Sequence, residues 1–290
     1  MRNITGTTKL LALLGDPARH SLSPTIHNEA CKAAGADYRY LAFEPGNLEM
    51  ALRGLLALGA RGCNLTMPYK RAVIPFLDTV DAEATLCQSV NTVVMADGRM
   101  TGYTTDGRGF VEAVRSRDID PAGRRVTVLG TGAACASILT AMRSLPGTTL
   151  TVYGRPGDSF HETEQLCTRL DSENIRLGYL SETERLRRDI RDADILVNTS
   201  SVGMNGKDSL LPSGLSLHRR QVVADIIYEP AETPLLVTAR RSGCKYFNGL
   251  EMLIQQARLS FEYWTGEQFN LADVRVAVAA EMARRNGYNG

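Results

Sequence analysis

The feature that most constrains the fold is a hydrophobic strand that runs into a glycine turn and then a helix, at residues 126–135. The sequence there is Val-Thr-Val-Leu-Gly-Thr-Gly-Ala-Ala-Cys. Gly130 permits a tight turn, and Gly132 lets a phosphate approach the backbone. The N–H groups and the positive dipole end of the following helix favour an anion at that point. The pattern favours a dinucleotide site, but an ordinary strand-to-helix turn stays open because Cys135 replaces the third glycine.

The segments after this turn predict a doubly wound parallel sheet. Hydrophobic strands are predicted at Thr148–Tyr153, Ile195–Asn198 and Val222–Ile227, with helix-length segments between them. Such alternation is typical of Rossmann-type α/β domains. Beyond the predicted strand Thr148–Tyr153, Arg155 suits a 2′-phosphate, whereas the nearby Asp158 suits a ribose 2′-hydroxyl. NADP is therefore favoured over NAD, and use of both stays open.

Composition excludes several classes of function. The 290 residues are 43% hydrophobic, enough for a substantial core and two domains. A net charge of +1 offers no basic surface for nucleic acid or an anionic membrane. The first apolar run, Leu10–Leu14, is too short for a signal-peptide core or a membrane span, so we expect a cytoplasmic protein. The six cysteines are scattered without metal-ligand spacing, so we expect reduced thiols and no metal site.

Two serines follow the first predicted strand in the N-terminal half. Ser23, followed by Pro24, predicts an N-cap and the first residue of a helix. Capping does not account for Ser21. Two hydroxyls two positions apart could instead face a polyhydroxylated ligand, although the residues alone favour capping.

Lys70 and Asp106 are candidates for proton transfer. The chain has only five lysines, and Lys70 follows a predicted strand at Gly62–Thr66, beside the start of a helix where the dipole disfavours a cation. Lysine, unlike arginine, readily releases its proton. Asp106 precedes a helix, where a capping role and pairing with Lys70 are both open. Gln256 lies within a predicted helix, where a glutamine is usually solvated.

Seven motifs in order resemble the shikimate dehydrogenase family, in particular its quinate/shikimate dehydrogenase branch. The resemblance extends from about Thr8 to Gly266. The motifs are His20-Ser-Leu-Ser-Pro24, Asn64-Leu-Thr-Met-Pro-Tyr-Lys70, Val90-Asn-Thr92, Thr105-Asp-Gly107, Gly130-Thr-Gly-Ala-Ala134, Tyr228-x-Pro230-x-x-Thr-Pro234 and Gly249-x-x-Met-Leu-x-x-Gln256.

The resemblance implies a two-domain α/β fold and assigns the site residues. Residues 1–106 would form a substrate-binding catalytic domain, completed by helices from 251–290, and 107–250 a Rossmann dinucleotide-binding domain. Lys70 and Asp106 would be the catalytic pair. The groups that hold the substrate would be Ser21, Ser23, Thr66, Asn91, Tyr228 and Gln256. The groups that hold the cofactor would be Gly130, Thr131, Gly132, Ala133, Ala134, Arg155, Asp158, Ile226 and Gly249.

The activity implied by the resemblance is reversible NAD(P)-dependent oxidation of shikimate or quinate to the 3-dehydro ketone. The expected partners are this cyclic hydroxy acid and a dinucleotide, in a monomer or homodimer. The family usually has Gly-Ala where this chain has Gln88 and Ser89, and Asn where it has Thr104. These departures leave open a dehydrogenase for an amino- or otherwise modified shikimate analogue. A non-catalytic sensor of the cyclic acid is also open, although a matched Lys70–Asp106 pair argues against it.

Overall fold

The computed structural model describes residues 3–170 and 173–288, the last three of these through their backbone only. This part of the chain divides into two compact units. The N-terminal unit contains the residues up to Thr105 and those from Leu253 onward, and the C-terminal unit is Asp106–Met252. Within the described residues each unit has its own six-stranded sheet with helices, so the predicted two-part α/β class is confirmed.

The first part of the chain forms most of the N-terminal unit. In chain order its elements are β1 (Lys9–Leu14), α1 (Ser23–Ala33), β2 (Tyr38–Phe43), α2 (Leu48–Ala57), β3 (Gly62–Leu65), α3 (Tyr69–Ala72), a 3₁₀ turn (Ile74–Phe76), β4 (Thr79–Val80), α4 (Ala82–Cys87), β5 (Thr92–Ala96) and β6 (Arg99–Tyr103).

The C-terminal unit alternates strands and helices. Its elements are α5 (Asp106–Arg115), β7 (Arg125–Leu129), α6 (Ala133–Arg143), β8 (Thr149–Gly154), α7 (Asp158–Leu170), β9 (Ile175–Tyr179), α8 (Thr183–Asp192), β10 (Ile195–Asn198), β11 (Val222–Asp225), α9 (Pro234–Arg241) and β12 (Lys245–Phe247). The chain ends with α10 (Leu250–Thr265) and α11 (Leu271–Tyr288).

The N-terminal sheet is mixed, with the order β2-β1-β3-β5-β6-β4. Strand β1 pairs in parallel with β2 and β3, whereas β5 is antiparallel to both β3 and β6. The β5–β6 hairpin turns at Asp97 and Gly98, whose φ angles of 52° and 72° suit a two-residue turn. As a result β5 begins, and β6 ends, at the edge where β1 and β3 end. Four chain segments therefore meet at one edge of this sheet.

The C-terminal helices complete the N-terminal unit. The indole N–H of Trp264, in α10, donates to the Val93 carbonyl at 2.9 Å, and the Trp264 carbonyl accepts from Arg61 Nε at 2.7 Å. A side chain at Gly62 would collide with this indole, so glycine lets α10 lie close to β3. Helix α11 packs on α1. The core beneath the sheet includes Leu52 and other buried aliphatic residues of β1, α2 and β5.

The C-terminal sheet is parallel throughout, with the order β12-β11-β10-β7-β8-β9. Counted from β7, the chain first adds β8 and β9 on one side and then β10, β11 and β12 on the other. This is the doubly wound Rossmann order, and its direction reverses between β7 and β10. Ligands bind such sheets at the carboxyl ends of the strands beside this reversal. The predicted doubly wound sheet is thus confirmed, and Leu129, Leu196 and Val223 contribute to its core.

Local expectations were met at some positions and missed at others. Thr233, a residue type that favours the N-cap position, caps α9, its hydroxyl accepting the Leu236 N–H at 3.4 Å. Strand β11 ends at Asp225 rather than Ile227 because Asp225 Oδ1 accepts the Ile227 N–H at 3.0 Å and turns the chain. Strand β9 was not predicted, since only one of its five residues is buried and its hydrophobic signal is weak.

Candidate active site

A buried network of amides and hydroxyls is centred on Asn64, in β3. Its side-chain amide donates to the Asn91 carbonyl at 2.9 Å and to the Thr92 hydroxyl at 3.1 Å. Its Oδ1 accepts the phenol proton of Tyr40 at 2.7 Å. A buried polar group left unpaired costs about 1–3 kcal/mol, so these bonds hold Asn64 in one orientation.

Asn91 connects this network to two distant parts of the chain. Its side-chain amide donates to Thr105 Oγ1 at 2.9 Å and to Gln256 Oε1 at 3.1 Å, and its Oδ1 accepts the Thr105 N–H at 2.8 Å. Gln256 is only 7% exposed, so the interpretation of it as a solvated helical glutamine is wrong. Periodicity could not reveal this burial because it depends on α10 lying against a sheet formed early in the chain. Asn91 and Gln256, both predicted substrate residues, are brought together.

The serine loop between β1 and α1 differs from the prediction for Ser23. Leu22 already has helical dihedral angles, so Ser23 lies inside the first turn and does not cap it. Instead Ser21 Oγ accepts the Ser23 N–H at 3.1 Å. The Ser23 side chain is buried close to Tyr40, the phenol that contacts Asn64. Because Ser21 Oγ serves as an acceptor here, its own proton can be donated to a ligand.

Thr66 and Lys70 follow β3 at the edge where β1 also ends. The Thr66 N–H donates to the Leu14 carbonyl at 3.0 Å, and its methyl group packs where a side chain at Gly15 would project. Lys70 is half-buried in α3, and its carbonyl accepts the Val90 N–H at 2.8 Å. Since α3 is a single turn of four residues, the predicted conflict between Lys70 and a helix dipole does not arise.

Asp106 is the first residue of α5 and is 6% exposed. It follows Thr105 directly in the chain, and a carboxylate is favoured in the first turn of a helix. At the next residue, Gly107, a side chain would collide with the Ser137 carbonyl of α6, so α5 lies close against α6. This packing fixes the helix end that carries the Asp106 carboxylate.

The glycine turn after β7 lies at the reversal point of the C-terminal sheet. Gly130 has a φ of +115°, which favours glycine, and a Cβ there would come within 2.9 Å of the Ser200 nitrogen. At Gly132 a Cβ would meet no protein atom within 4 Å, so neither φ nor packing requires glycine. Helix α6 begins at Ala133 without a side-chain cap, with Ala134 in its first turn. The turn thus presents open backbone N–H groups, as an anion site requires.

The third glycine position tolerates Cys135 without an evident penalty. Its side chain is completely buried where α6 faces the sheet, and burial raises the pKa of the thiol to about 12. Cys135 is therefore a neutral packing residue at ordinary pH. The departure from glycine therefore concerns the packing of α6 on the sheet.

Two hydroxyl contacts that the sequence analysis missed support the glycine turn. Thr131 Oγ1 lies 3.0 Å from Ser159 Oγ, in the first turn of α7. Thr199, after β10, donates its N–H to the Leu129 carbonyl at 2.8 Å and its hydroxyl to the Gly130 carbonyl at 3.2 Å. The polar run Asn-Thr-Ser-Ser after a buried strand is the signal that could have identified Thr199.

Several predicted site residues follow strands β8 and β11. Arg155 is exposed beyond the end of β8, and Asp158 is the first residue of α7. Gly249 packs against the Ile226 carbonyl, where a side chain would collide, so these two predicted cofactor residues are in contact. Tyr228 follows β11 and belongs to the C-terminal unit.

The Tyr228 segment is anchored by Asp225, at the end of β11. Its Oδ2 accepts the Thr233 hydroxyl at 2.7 Å, and its Oδ1 accepts from Asn198 Nδ2 at 3.1 Å. Burial raises the pKa of Asp225, and these hydrogen bonds offset part of that effect. The carboxyl group thus fixes both ends of the segment that carries Tyr228.

Among the described residues there is neither a metal-binding cluster nor a helix that could span a membrane. In that part of the chain no three His, Cys, Asp or Glu side chains converge on a position suited to a metal ion. Over the same residues, every helix is too short or too polar to cross a bilayer.

Comparison with known proteins places these features in a family. Residues 13–93 match the shikimate dehydrogenase substrate-binding domain, and residues 249–278 match the shikimate 5′-dehydrogenase C-terminal domain. A shikimate dehydrogenase (NADP⁺) from Moorella thermoacetica is 37% identical over 99% of this chain and 98% of its own length.

Solved structures agree with this match. A shikimate 5-dehydrogenase from Listeria monocytogenes, in complex with shikimate and NAD, has a TM-score of 0.88 and 35% identity, covering 95% of this chain and 98% of its own. A quinate dehydrogenase from Corynebacterium glutamicum in complex with NAD has a TM-score of 0.85 and 28% identity, covering 94% and 99%. The predicted resemblance is confirmed, and this chain belongs to the shikimate dehydrogenase family.

Proposed function

We propose that this chain is an NAD(P)-dependent shikimate dehydrogenase that reversibly oxidises one ring hydroxyl of shikimate to the 3-dehydro ketone. The observation that carries the proposal is the buried Asn91–Thr105–Gln256 cluster in the N-terminal unit, which holds neutral amides and hydroxyls at fixed positions. A polyhydroxylated ring requires several such partners, whereas a hydrophobic or metal-bound substrate does not. Membership of the family supports the same reaction class.

The N-terminal unit would bind the cyclic acid. Ser21 retains a donor proton, Asn91 and Gln256 belong to one connected network, and Ser23 is buried close to Tyr40. Thr66 and Tyr228 are the other residues that the resemblance assigns to the ring hydroxyls and the carboxylate. Neutral hydrogen-bonding groups at fixed positions favour a substrate whose hydroxyls match them, because a mismatch leaves buried groups unpaired.

Lys70 and Asp106 would carry the proton transfer. In the oxidation direction the neutral Lys70 amine takes the proton of the reacting hydroxyl, and in the reverse direction the Lys70 ammonium returns a proton to the ketone oxygen. Asp106 would orient the amine and the hydroxyl through one hydrogen-bond network. General acid–base assistance of this kind accelerates a reaction by about 10²–10⁴-fold.

The glycine turn fits a dinucleotide. Gly130, Thr131 and Gly132 would face the pyrophosphate, together with the first N–H groups of α6 at Ala133 and Ala134. Ile226 and Gly249 would line the same site. When bound, the dinucleotide supplies the hydride acceptor. Of the two glycines in this turn, Gly130 is required by its φ of +115°, whereas neither φ nor packing requires glycine at Gly132.

We propose NADP as the preferred cofactor and NAD as a second one. Arg155 is exposed beyond β8, where a guanidinium can pair with a 2′-phosphate. Asp158 lies in the first turn of α7, three residues later, where a carboxylate suits a ribose hydroxyl instead. An Arg155→Ala change should therefore weaken NADP more than NAD.

Two residues that differ from the usual family motifs, Gln88 and Thr104, bear unequally on substrate specificity. Gln88 is exposed, has a φ of 50° at the end of α4, and donates its side-chain amide to the Thr85 carbonyl at 2.7 Å. It serves the helix end, so it gives little reason to favour a modified shikimate analogue. Thr104 is buried and adjoins Thr105 in the chain. Quinate stays the main competing substrate.

A cytoplasmic, monomeric or homodimeric enzyme completes the proposal. All six cysteines are free thiols, which suits a reducing compartment. Sedimentation of the purified protein would test the assembly state.

Absorbance of the reduced nicotinamide tests the reaction itself. Purified protein is mixed with shikimate or quinate, and with NADP⁺ or NAD⁺, in all four combinations. The proposal expects the highest kcat/KM for shikimate with NADP⁺. Absence of reduction with every combination would overturn the proposed reaction, and a clear preference for quinate would change the substrate.

A further inference from the structure

Arg285, near the end of α11, reaches the serine loop of the N-terminal unit. Its Nη1 donates to the His20 carbonyl at 2.7 Å and its Nη2 to the Ser21 carbonyl at 3.3 Å. The contact joins residues 264 and 265 positions apart, so only the packing of α11 on α1 brings them together. Arg285 therefore binds the backbone of the residue proposed to donate to the substrate.

Glu281 holds the Arg285 guanidinium in place. Its Oε1 accepts from Arg285 Nε at 2.8 Å and from Arg284 Nη2 at the same distance. These hydrogen bonds lower the pKa of Glu281 to about 2, so the carboxylate stays charged at any working pH. A guanidinium fixed on one side presents its remaining N–H groups in a rigid fork. That fork contacts the two loop carbonyls.

The other half of the serine loop is anchored by Glu44. Its Oε1 accepts the Ala18 N–H at 2.8 Å and the Arg19 N–H at 3.1 Å. Between the two anchors, the Ser21 N–H donates to the Ala18 carbonyl at 3.1 Å. With both ends held, the backbone of Ser21 sets the position of its hydroxyl. Loss of either anchor would free that backbone.

We propose that Arg285 is a positioning residue for shikimate: it fixes the His20 and Ser21 carbonyls so that the Ser21 hydroxyl faces the substrate. The inference rests on the proposed function. Arg285 does not itself contact the reacting atoms in this account. Its removal should weaken substrate binding and leave the chemical step and the cofactor site, which is formed by other residues, close to wild type.

Three variants test the role. Arg285→Gln removes the charged fork, and Arg284→Gln is the matched control because it removes a neighbouring arginine that pairs with the same Glu281 carboxylate. Arg285→Lys keeps a cation that can still donate to one carbonyl. We expect Arg285→Gln to raise the shikimate KM about tenfold, less than the ~100-fold that a 1 Å misplacement caused by a remote mutation can cost. We expect kcat and the NADP KM to stay near wild type, with partial recovery in Arg285→Lys.

Hydrogen exchange of residues 15–23 supplies a readout independent of catalysis. The loop amides should exchange faster in Arg285→Gln than in Arg284→Gln. The proposal is overturned if Arg285→Gln leaves the shikimate KM unchanged, or if Arg284→Gln raises the shikimate KM equally. An equal rise in the NADP KM of Arg285→Gln would also overturn it, because that result would indicate a general structural defect. If wild-type protein does not act on shikimate, the proposed function fails as well. That outcome is visible in the wild type alone, whereas failure of this inference alone appears only in the variants.

Discussion

His27 should make the protein lose stability as the pH falls. Its ring is completely buried, stacked on Tyr40 with a centroid distance of 4.3 Å and 5.1 Å from the Trp264 ring. Within the described chain neither ring nitrogen has a hydrogen-bond partner. Burial lowers the pKa of His27 from 6.5 to about 3, and the nearby Asn64 side chain offsets a small part of this effect. The folded protein therefore keeps this imidazole neutral where the unfolded chain protonates it.

The size and sign of this change in stability follow from the pKa of His27 in the unfolded and folded states. Between pH 6.5 and about pH 3 the unfolded state binds one more proton at His27 than the folded state, so acid favours unfolding. The contribution of the neutral His27 ring to the free energy of unfolding is complete above pH 6.5 and declines as the pH falls below that value. One pKa unit corresponds to about 1.4 kcal/mol, so the whole interval represents ~5 kcal/mol, of which about 2 kcal/mol is lost by about pH 5.

Urea unfolding at neutral pH and near pH 5 measures this loss. His27→Phe keeps a ring against Tyr40 and cannot be protonated, so we expect its free energy of unfolding to fall by about 2 kcal/mol less than that of the wild type. His161→Gln is the control, since it removes an exposed imidazole and should give the same pH dependence of the free energy of unfolding as the wild type. An identical pH dependence in His27→Phe and wild type would refute the reasoning.

Three further predictions concern the proposed sites. Gly130→Ala should lower the free energy of unfolding by about 1–3 kcal/mol, measured by urea unfolding, because its φ of +115° strains any side chain. Gly132→Ala should leave that free energy within ~0.5 kcal/mol of wild type yet raise the NADP Kd, measured by calorimetry, at least about tenfold; unchanged affinity would remove Gly132 from the cofactor site. Gln256→Ala should raise the shikimate KM and cost about 1–3 kcal/mol of stability, since it leaves the Asn91 amide short of one acceptor; a variant with wild-type kinetics would contradict its role.

Features encoded by neighbouring residues could be predicted from the sequence. The glycine turn at Gly130, the hairpin turn at Asp97 and Gly98 and the cap at Thr233 each depend on a few adjacent positions. Local backbone preferences decide them, so the chain outside each segment is not needed. The alternation of strands and helices then fixed the doubly wound class of the C-terminal unit.

Features that depend on long-range packing could not be predicted. Gln256 is buried because α10 lies against the N-terminal sheet, where the side-chain amide of Asn91, 165 positions earlier, donates to Gln256 Oε1. Ser23 does not cap α1 because Leu22 has helical dihedral angles. The helix start differs from the prediction by one residue, which propensity does not resolve. The Arg285 contact with the serine loop likewise requires α11 to lie on α1. For Gln256 and Arg285 the missing information is the position of a helix late in the chain.

The central claim is that the Lys70 amine exchanges the proton of a shikimate hydroxyl, and turnover of Lys70→Ala tests it most directly. With shikimate and NADP⁺, we expect kcat to fall by about 10²–10⁴-fold while the NADP Kd, measured separately by calorimetry, stays near the wild-type value. Reduction of NADP⁺ by Lys70→Ala at the wild-type rate would contradict the account.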